Sequence, residues 1–134
     1  MSALEYKQID PAALDGDIEN VAVKSLRRVF DFWKINAATS ARLAGMSKRT
    51  WDRIKADQWS GRLNQDQLMR ASALIGVYKA LHLYFSDELA DQWVTRPNSG
   101  PLFQGHKPVD MMEAGGLPAI LQVRDYIDAV RGGL

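Results

Sequence analysis

Apolar residues recur at steps of three and four along most of this chain, the interval that places them on one face of a helix. Between Val21 and Ile35, the positions Val23, Leu26, Val29, Phe30 and Trp33 form such a face, with Lys24, Arg27, Arg28 and Asp31 mostly off it. Residues 1–20 show only weak periodicity, carry Pro11 and Gly16, and are expected to form an N-terminal arm. The stretch "NAATSARLAGMSKRTWDRIKADQWSGRLN" divides into two short helices around Gly45 and Met46, the second capped by Ser47. After the "WSGR" loop, Asn64 and Gln67 have capping-box spacing. Leu68, Ala71, Leu74, Ile75, Tyr78 and Leu81 then mark the longest helix. A short helix follows from Ser86, its expected cap, to about Thr95, with Leu89 and Trp93 expected inward.

The last third is punctuated by Pro97, Gly100, Pro101, Gly105 and Pro108, so residues 96–107 are expected to be a loop. "PVDMMEA" then reads as a proline-started helix closed by Gly115, and Pro118 starts another. In that final helix Leu117, Ile120, Leu121, Val123, Ile127 and Val130 make a wide apolar stripe, which either completes the core or partly faces another protein. With no strand series, repeat or low-complexity tract, the predicted fold class is all-α: a helix-turn-helix bundle followed by a small helical domain. The expected division is an arm at 1–20, a first unit at 21–83 and a second at 84–134.

Charge sharpens this picture, because it is uneven along the chain. Residues 1–23 carry one Lys against five acids, residues 24–62 carry ten Lys and Arg against three Asp, and residues 63–134 carry six against eight. A local cationic excess is what phosphate neutralisation requires, although a solvated basic face on a helical bundle has the same composition. The spacing favours the first reading. Ala41 is small where the two short helices would touch, Gly45 supplies the turn, and Ala44, Met46, Trp51 and Ile54 would anchor the second helix. Ser40 departs from the pattern at a usually apolar position, where Leu43 can supply burial instead. The second helix is then a recognition helix, with Ser47, Lys48, Arg49, Thr50, Arg53 and Lys55 as DNA-binding candidates and Asp52 also outward. One such unit covers little DNA, so a homodimer on operator DNA is expected.

No catalytic constellation assembles. His82 and His106 are far apart and no second ligand lies at metal spacing, so neither a metal nor any cofactor is expected. The chain has no cysteine, which removes disulfides and thiolate zinc sites. Asp87, Glu88 and Asp91 read as first-turn acids complementing a helix dipole. The two glycines of "EAGGLPA" lack dinucleotide spacing and a preceding strand. No apolar run approaches the roughly 18 residues of a membrane span and no signal peptide is evident, so a cytoplasmic, non-enzymatic protein is expected.

The stretch from Ser86 to Gly133 resembles the toxin-binding domain of the Xre/MbcA/ParS antitoxin family. The likeness rests on Trp93, Arg96–Pro97–Asn98, Leu102–Phe103–Gly105, Pro108–Val109–Asp110, Gly115–Gly116–Leu117 and Val123–Ile127. The upstream unit is similar to the Xre-type helix-turn-helix that precedes this domain in the family. The resemblance implies a type II antitoxin whose partner is a RES-domain toxin that breaks down NAD. In that reading the chain neutralises the toxin and, through its helix-turn-helix, represses their shared operon. Arg124, Asp125, Asp128 and Arg131 would then give the last helix polar specificity for the toxin. Gly132, Gly133 and Leu134 would form a slim tail with a carboxylate for a cleft built for a phosphorylated cofactor. A free-standing dimeric helix-turn-helix repressor with a C-terminal interaction domain is the alternative.

Overall fold

A computed structural model describes residues 11–131, with side-chain surroundings from 18 to 130. Among these residues the chain is all-α: α1 (Pro11–Trp33), α2 (Ala37–Ala44), α3 (Lys48–Lys55), α4 (Gln65–Tyr84), α5 (Asp87–Gln92), a 3-10 turn (Trp93–Thr95) and α6 (Pro108–Arg131). α6 is broken at Gly116, whose φ of 67° and ψ of −152° are not helical. Residues 1–10 of the expected arm lie outside the described residues.

α1 begins ten residues before the apolar period does. Pro11 suits a first helical position, where a missing N–H costs nothing, and the period fades upstream although the helix does not. The core face of α1 is as its spacing predicts, with Val23, Leu26, Val29, Phe30 and Trp33 buried. Glu19, within the stretch assigned to an arm, is only 4% exposed. Its carboxylate accepts the Leu63 amide at 2.8 Å and pairs with Arg62 at 3.4 Å, pinning the loop that enters α4. Glu19→Ala is expected to cost about 1–3 kcal/mol by stranding a buried N–H. Glu19→Gln, which keeps an acceptor, should cost less; equal unfolding midpoints for Glu19→Ala and the parent would contradict this role.

α4 is the central element, packed by α1 on one side and α6 on the other. That explains why Ala73, Val77 and Ala80 are buried as well as Ala71, Leu74 and Leu81, while Leu68, Ile75 and Tyr78 are only partly covered. Its N-terminus carries the anticipated capping box, with Asn64 Oδ1 accepting the Gln67 amide at 2.8 Å and Gln67 Oε1 accepting the Asn64 amide at 2.9 Å.

The short α5 corrects two expectations. Leu89 is 47% exposed, and Ala90 and Val94 face the core instead. A six-residue helix holds too few turns for spacing to say which face is inward. Ser86 occupies the N-cap position, but its side chain makes no cap bond. The wide stripe of the last helix also divides: Ile120, Val123 and Ile127 are buried, Leu117 and Val130 are intermediate, and Leu121 is 38% exposed.

Candidate nucleic-acid interface and C-terminal surface

The helix-turn-helix is built by local rules. Asn36 Oδ1 accepts the Thr39 amide at 2.8 Å and starts α2. α2 ends in a Schellman turn, in which Gly45 N–H donates to Arg42 O (3.2 Å) and Met46 N–H to Ala41 O (2.9 Å). Gly45 sits at φ 73°, ψ 36°, a left-handed conformation suited to glycine. Ser47 then caps α3 through its bond from the Thr50 amide at 3.1 Å. The departure at Ser40 is resolved by its hydroxyl, which is buried and donates to Asn36 O at 2.8 Å, while Leu43 is fully buried beside it.

α3 divides cleanly. Trp51 and Ile54 are buried, and Trp51 meets Phe30 at 5.2 Å between ring centroids. Lys48, Arg49, Asp52, Arg53 and Lys55 are exposed, and Thr50 is intermediate. The structure therefore brings the six candidate DNA-contact residues onto one capped turn and helix. Some are already engaged locally: Lys48 pairs with Asp52 at 2.9 Å, Arg53 donates to Gln58 O at 3.3 Å, and the Ser47 and Thr50 hydroxyls bond each other at 3.0 Å. Arg49 makes no hydrogen bond or ion pair among the described residues, which leaves its guanidinium free for a ligand.

Neighbouring cations position α3 in a way that spacing did not reveal. Arg27 donates to Ile54 O (3.3 Å) and Asp57 Oδ1 (2.8 Å), placing positive charge at the C-terminal end of α3, where the helix dipole favours it. Gln67 Nε2 donates to Gly45 O at 3.1 Å. Arg70 donates to the carbonyls of Arg42 and Leu43 at 3.1 and 3.4 Å and to Asp66 at 2.9 Å. A Cβ at Gly116 would lie 3.3 Å from Arg70 Nη2, so the same guanidinium touches the turn of the helix-turn-helix and the break in α6. Arg42 also ion-pairs with Glu113 on the first half of α6.

The C-terminal unit closes around one aromatic cluster. Phe103 is buried and meets Trp93 and Tyr126 edge-on at 5.5 and 5.1 Å. Residues 96–107 form an ordered loop: Gly105 N–H donates to Asn98 O at 2.7 Å and Asn98 N–H to His106 O at 3.1 Å. One close approach and one backbone conformation account for the paired glycines. A Cβ at Gly115 would stand 2.5 Å from Ala119 Cβ, and Gly116 holds backbone angles that other residues avoid.

Of the candidate partner-binding residues, Asp125 and Asp128 are exposed. Arg124 is half-buried and lies across α4, where a Cβ at Gly76 would come within 2.7 Å of its Cζ. Its guanidinium thus packs the two helices together as well as reaching the surface. The Arg131 side chain and Gly132, Gly133 and Leu134 lie outside the described residues. His82 is a boundary residue, its Nδ1 2.9 Å from Asp87 and its Nε2 2.8 Å from Asp91, so these acids do more than complement a helix dipole. Burial first, then the charges of Asp91 and Asp87, push the neighbouring Tyr78 phenol above its ordinary range, with Arg28 pulling the other way. No group of three metal-ligating side chains occurs among the described residues, and no described helix is long and apolar enough to cross a membrane.

Two family models match the chain. Residues 12–76 match the family model of the antitoxin Xre-like helix-turn-helix domain, and residues 79–133 match that of the antitoxin Xre/MbcA/ParS C-terminal toxin-binding domain. The two matches meet inside α4, the helix that both units share. The chain is also 36% identical over 107 residues to the uncharacterized protein y4oB of Sinorhizobium fredii, an alignment covering 79% of this chain and 81% of that protein. No solved structure matches.

Proposed function

The chain belongs to the Xre/MbcA/ParS antitoxin family, and from that premise we propose that it neutralises a RES-domain toxin that degrades NAD and represses the operon encoding both. The observation that carries this reading is the pairing, on one continuous helical body, of a helix-turn-helix with an outward basic helix and a toxin-binding domain. The antitoxin acts by binding and supplies no catalysis.

On DNA, α3 enters the major groove. Arg49 and Arg53 reach base edges, Lys48 and Lys55 reach phosphates, and the first amides of α3 face a backbone phosphate. Ser47 and Thr50 hold the helix start and can turn their hydroxyls to the same phosphate. Two copies bind two half-sites about one helical turn apart.

On the toxin, the second half of α6 docks with Asp125, Asp128 and Arg131 as its polar contacts. Arg124 contributes its outer edge, and Gly132, Gly133 and Leu134 extend from the helix into the toxin's cleft. NAD carries two phosphates, so a cleft built for it is cationic and attracts the acids of this helix.

The test uses purified toxin, taken as the product of the adjacent gene, with NAD consumption as the readout. Equimolar full-length chain is expected to stop consumption, and a chain truncated after Val130 to lose at least tenfold in inhibitory potency. Full inhibition by the truncated chain would discard insertion of the tail, and no inhibition by the full-length chain would discard the antitoxin assignment. If the full-length chain leaves consumption untouched but binds its upstream DNA, the free-standing repressor reading takes its place.

A further inference from the structure

α4 and the second half of α6 meet along a hollow that the core leaves open. Leu68, Met69 and Ser72 line it from α4, and Leu121 and Arg124 line it from α6. Met69 and Leu121 are 45% and 38% exposed, so each wall turns one large apolar side chain to water. A single exposed apolar residue needs no explanation, whereas two across one hollow form a patch.

Arg124 is the one charged side chain among the described residues that line this hollow. It makes no hydrogen bond or ion pair among the described residues. Gly76 makes room for it, since a Cβ there would stand 2.7 Å from its Cζ and 2.8 Å from its Nε. A long cationic side chain is thereby laid against α4 before any partner arrives, so less rotamer freedom remains to be lost on binding. An apolar floor beside one positioned guanidinium offers little to a phosphate backbone. It fits a protein segment that presents a large apolar side chain next to a carboxylate.

We propose that this hollow is part of the toxin-docking surface, with Leu68, Met69 and Leu121 receiving an apolar side chain of the toxin and Arg124 a neighbouring carboxylate. Leu121 and Arg124 lie in the stretch that matches a toxin-binding domain, and Asp125 stands one turn beyond Leu121, so the hollow continues the polar face of α6. Leu68 and Met69 lie in the stretch that matches the helix-turn-helix domain, so the toxin is held by both units at once. The proposal rests on the toxin-neutralising reading and adds α4 to its surface.

The experiment measures inhibition of NAD consumption by the purified product of the adjacent gene, with operator binding and a thermal melt beside it. Met69→Asp and Leu121→Asp are each expected to raise the concentration of chain needed for half-inhibition about tenfold or more, with operator affinity unchanged. Leu83→Asp, at a more exposed apolar site outside the hollow, is expected to inhibit like the parent. Gly76→Ala keeps every charge and improves helix propensity, yet its methyl displaces the far end of Arg124; potency should fall while Tm does not. If either aspartate lowers Tm, Gly76→Ala decides, and full potency there overturns the proposal. Full potency in both aspartate variants overturns it too, leaving the toxin reading in place and the contact confined to the rest of α6. An equal loss in Leu83→Asp does the same, because the effect would then not belong to the hollow. A parent chain that fails to inhibit discards the toxin reading, and the proposal with it.

Discussion

Gly116→Ala is expected to lower the stability of the chain by about 1–3 kcal/mol and to impair toxin neutralisation more than DNA binding. The backbone at Gly116 has φ 67° and ψ −152°, a region that residues with a Cβ essentially do not occupy. Two responses are open to the variant. If the backbone stays, the strain is stored and the new methyl presses on Arg70 Nη2 at 3.3 Å. If it relaxes, the halves of α6 change their mutual angle, and the second half, with Asp125 and Asp128 outward and Ile120, Val123 and Ile127 inward, shifts as one body against α4. The helix-turn-helix meets the break in α6 through Arg70 and the Arg42–Glu113 pair but keeps its own caps and buried anchors, so operator binding should fall less than inhibition. For a chain of this size the cost corresponds to a fall in Tm of about 3–15 °C. The check is a thermal melt beside an inhibition assay. An unchanged Tm with unchanged inhibition would show that the break in α6 is not what orients the last helix.

The second large effect is on DNA. Arg49→Ala and Arg53→Ala are each expected to weaken operator binding by about 1–3 kcal/mol, and the double variant by about 2–6 kcal/mol if the two side chains read separate base pairs. Both residues are exposed on α3, and neither is buried against Trp51 or Ile54, so stability should change by less than about 0.5 kcal/mol. Base reading and phosphate contact differ in signature. A base-reading arginine loses discrimination at one position of the operator when removed. A phosphate contact weakens all sequences alike and reduces the salt slope by about one per contact. Titrations of operator and scrambled DNA at two salt concentrations separate these cases. Wild-type affinity in the double variant would discard α3 as the recognition helix.

Elements set by local chemistry were legible in the sequence. Asn64 and Gln67, Ser47, and Gly45 each act through atoms within a few residues, and their spacing announces the cap or the turn. The exposed basic face of α3 was legible for the same reason, because Trp51 and Ile54 fix its inner side. What was not legible depends on residues distant in sequence. Glu19 looked like one more acid in an acidic stretch until Leu63, 44 residues away, supplied its buried partner. Arg27 counted toward the cationic excess of residues 24–62 and Arg70 only toward the balance of the segment after it, yet their donors are spent on the carbonyls of Ile54, Arg42 and Leu43. The sequence gives no reason for a glycine at position 76, inside the longest helix; that reason is Arg124 lying across it. The inward face of α5 failed because Leu89 and Ala90 are adjacent, and hydrophobicity alone favours the larger residue when close packing requires the smaller.

Growth and cellular NAD, followed in a host expressing the adjacent gene alone and together with this chain, decide whether the protein is an antitoxin. Expression of the neighbour alone is expected to stop growth and drain NAD, and co-expression of the chain to restore both. A harmless neighbour, or NAD that stays depleted with the chain present, would contradict the assignment of this protein as the antitoxin of an NAD-degrading toxin.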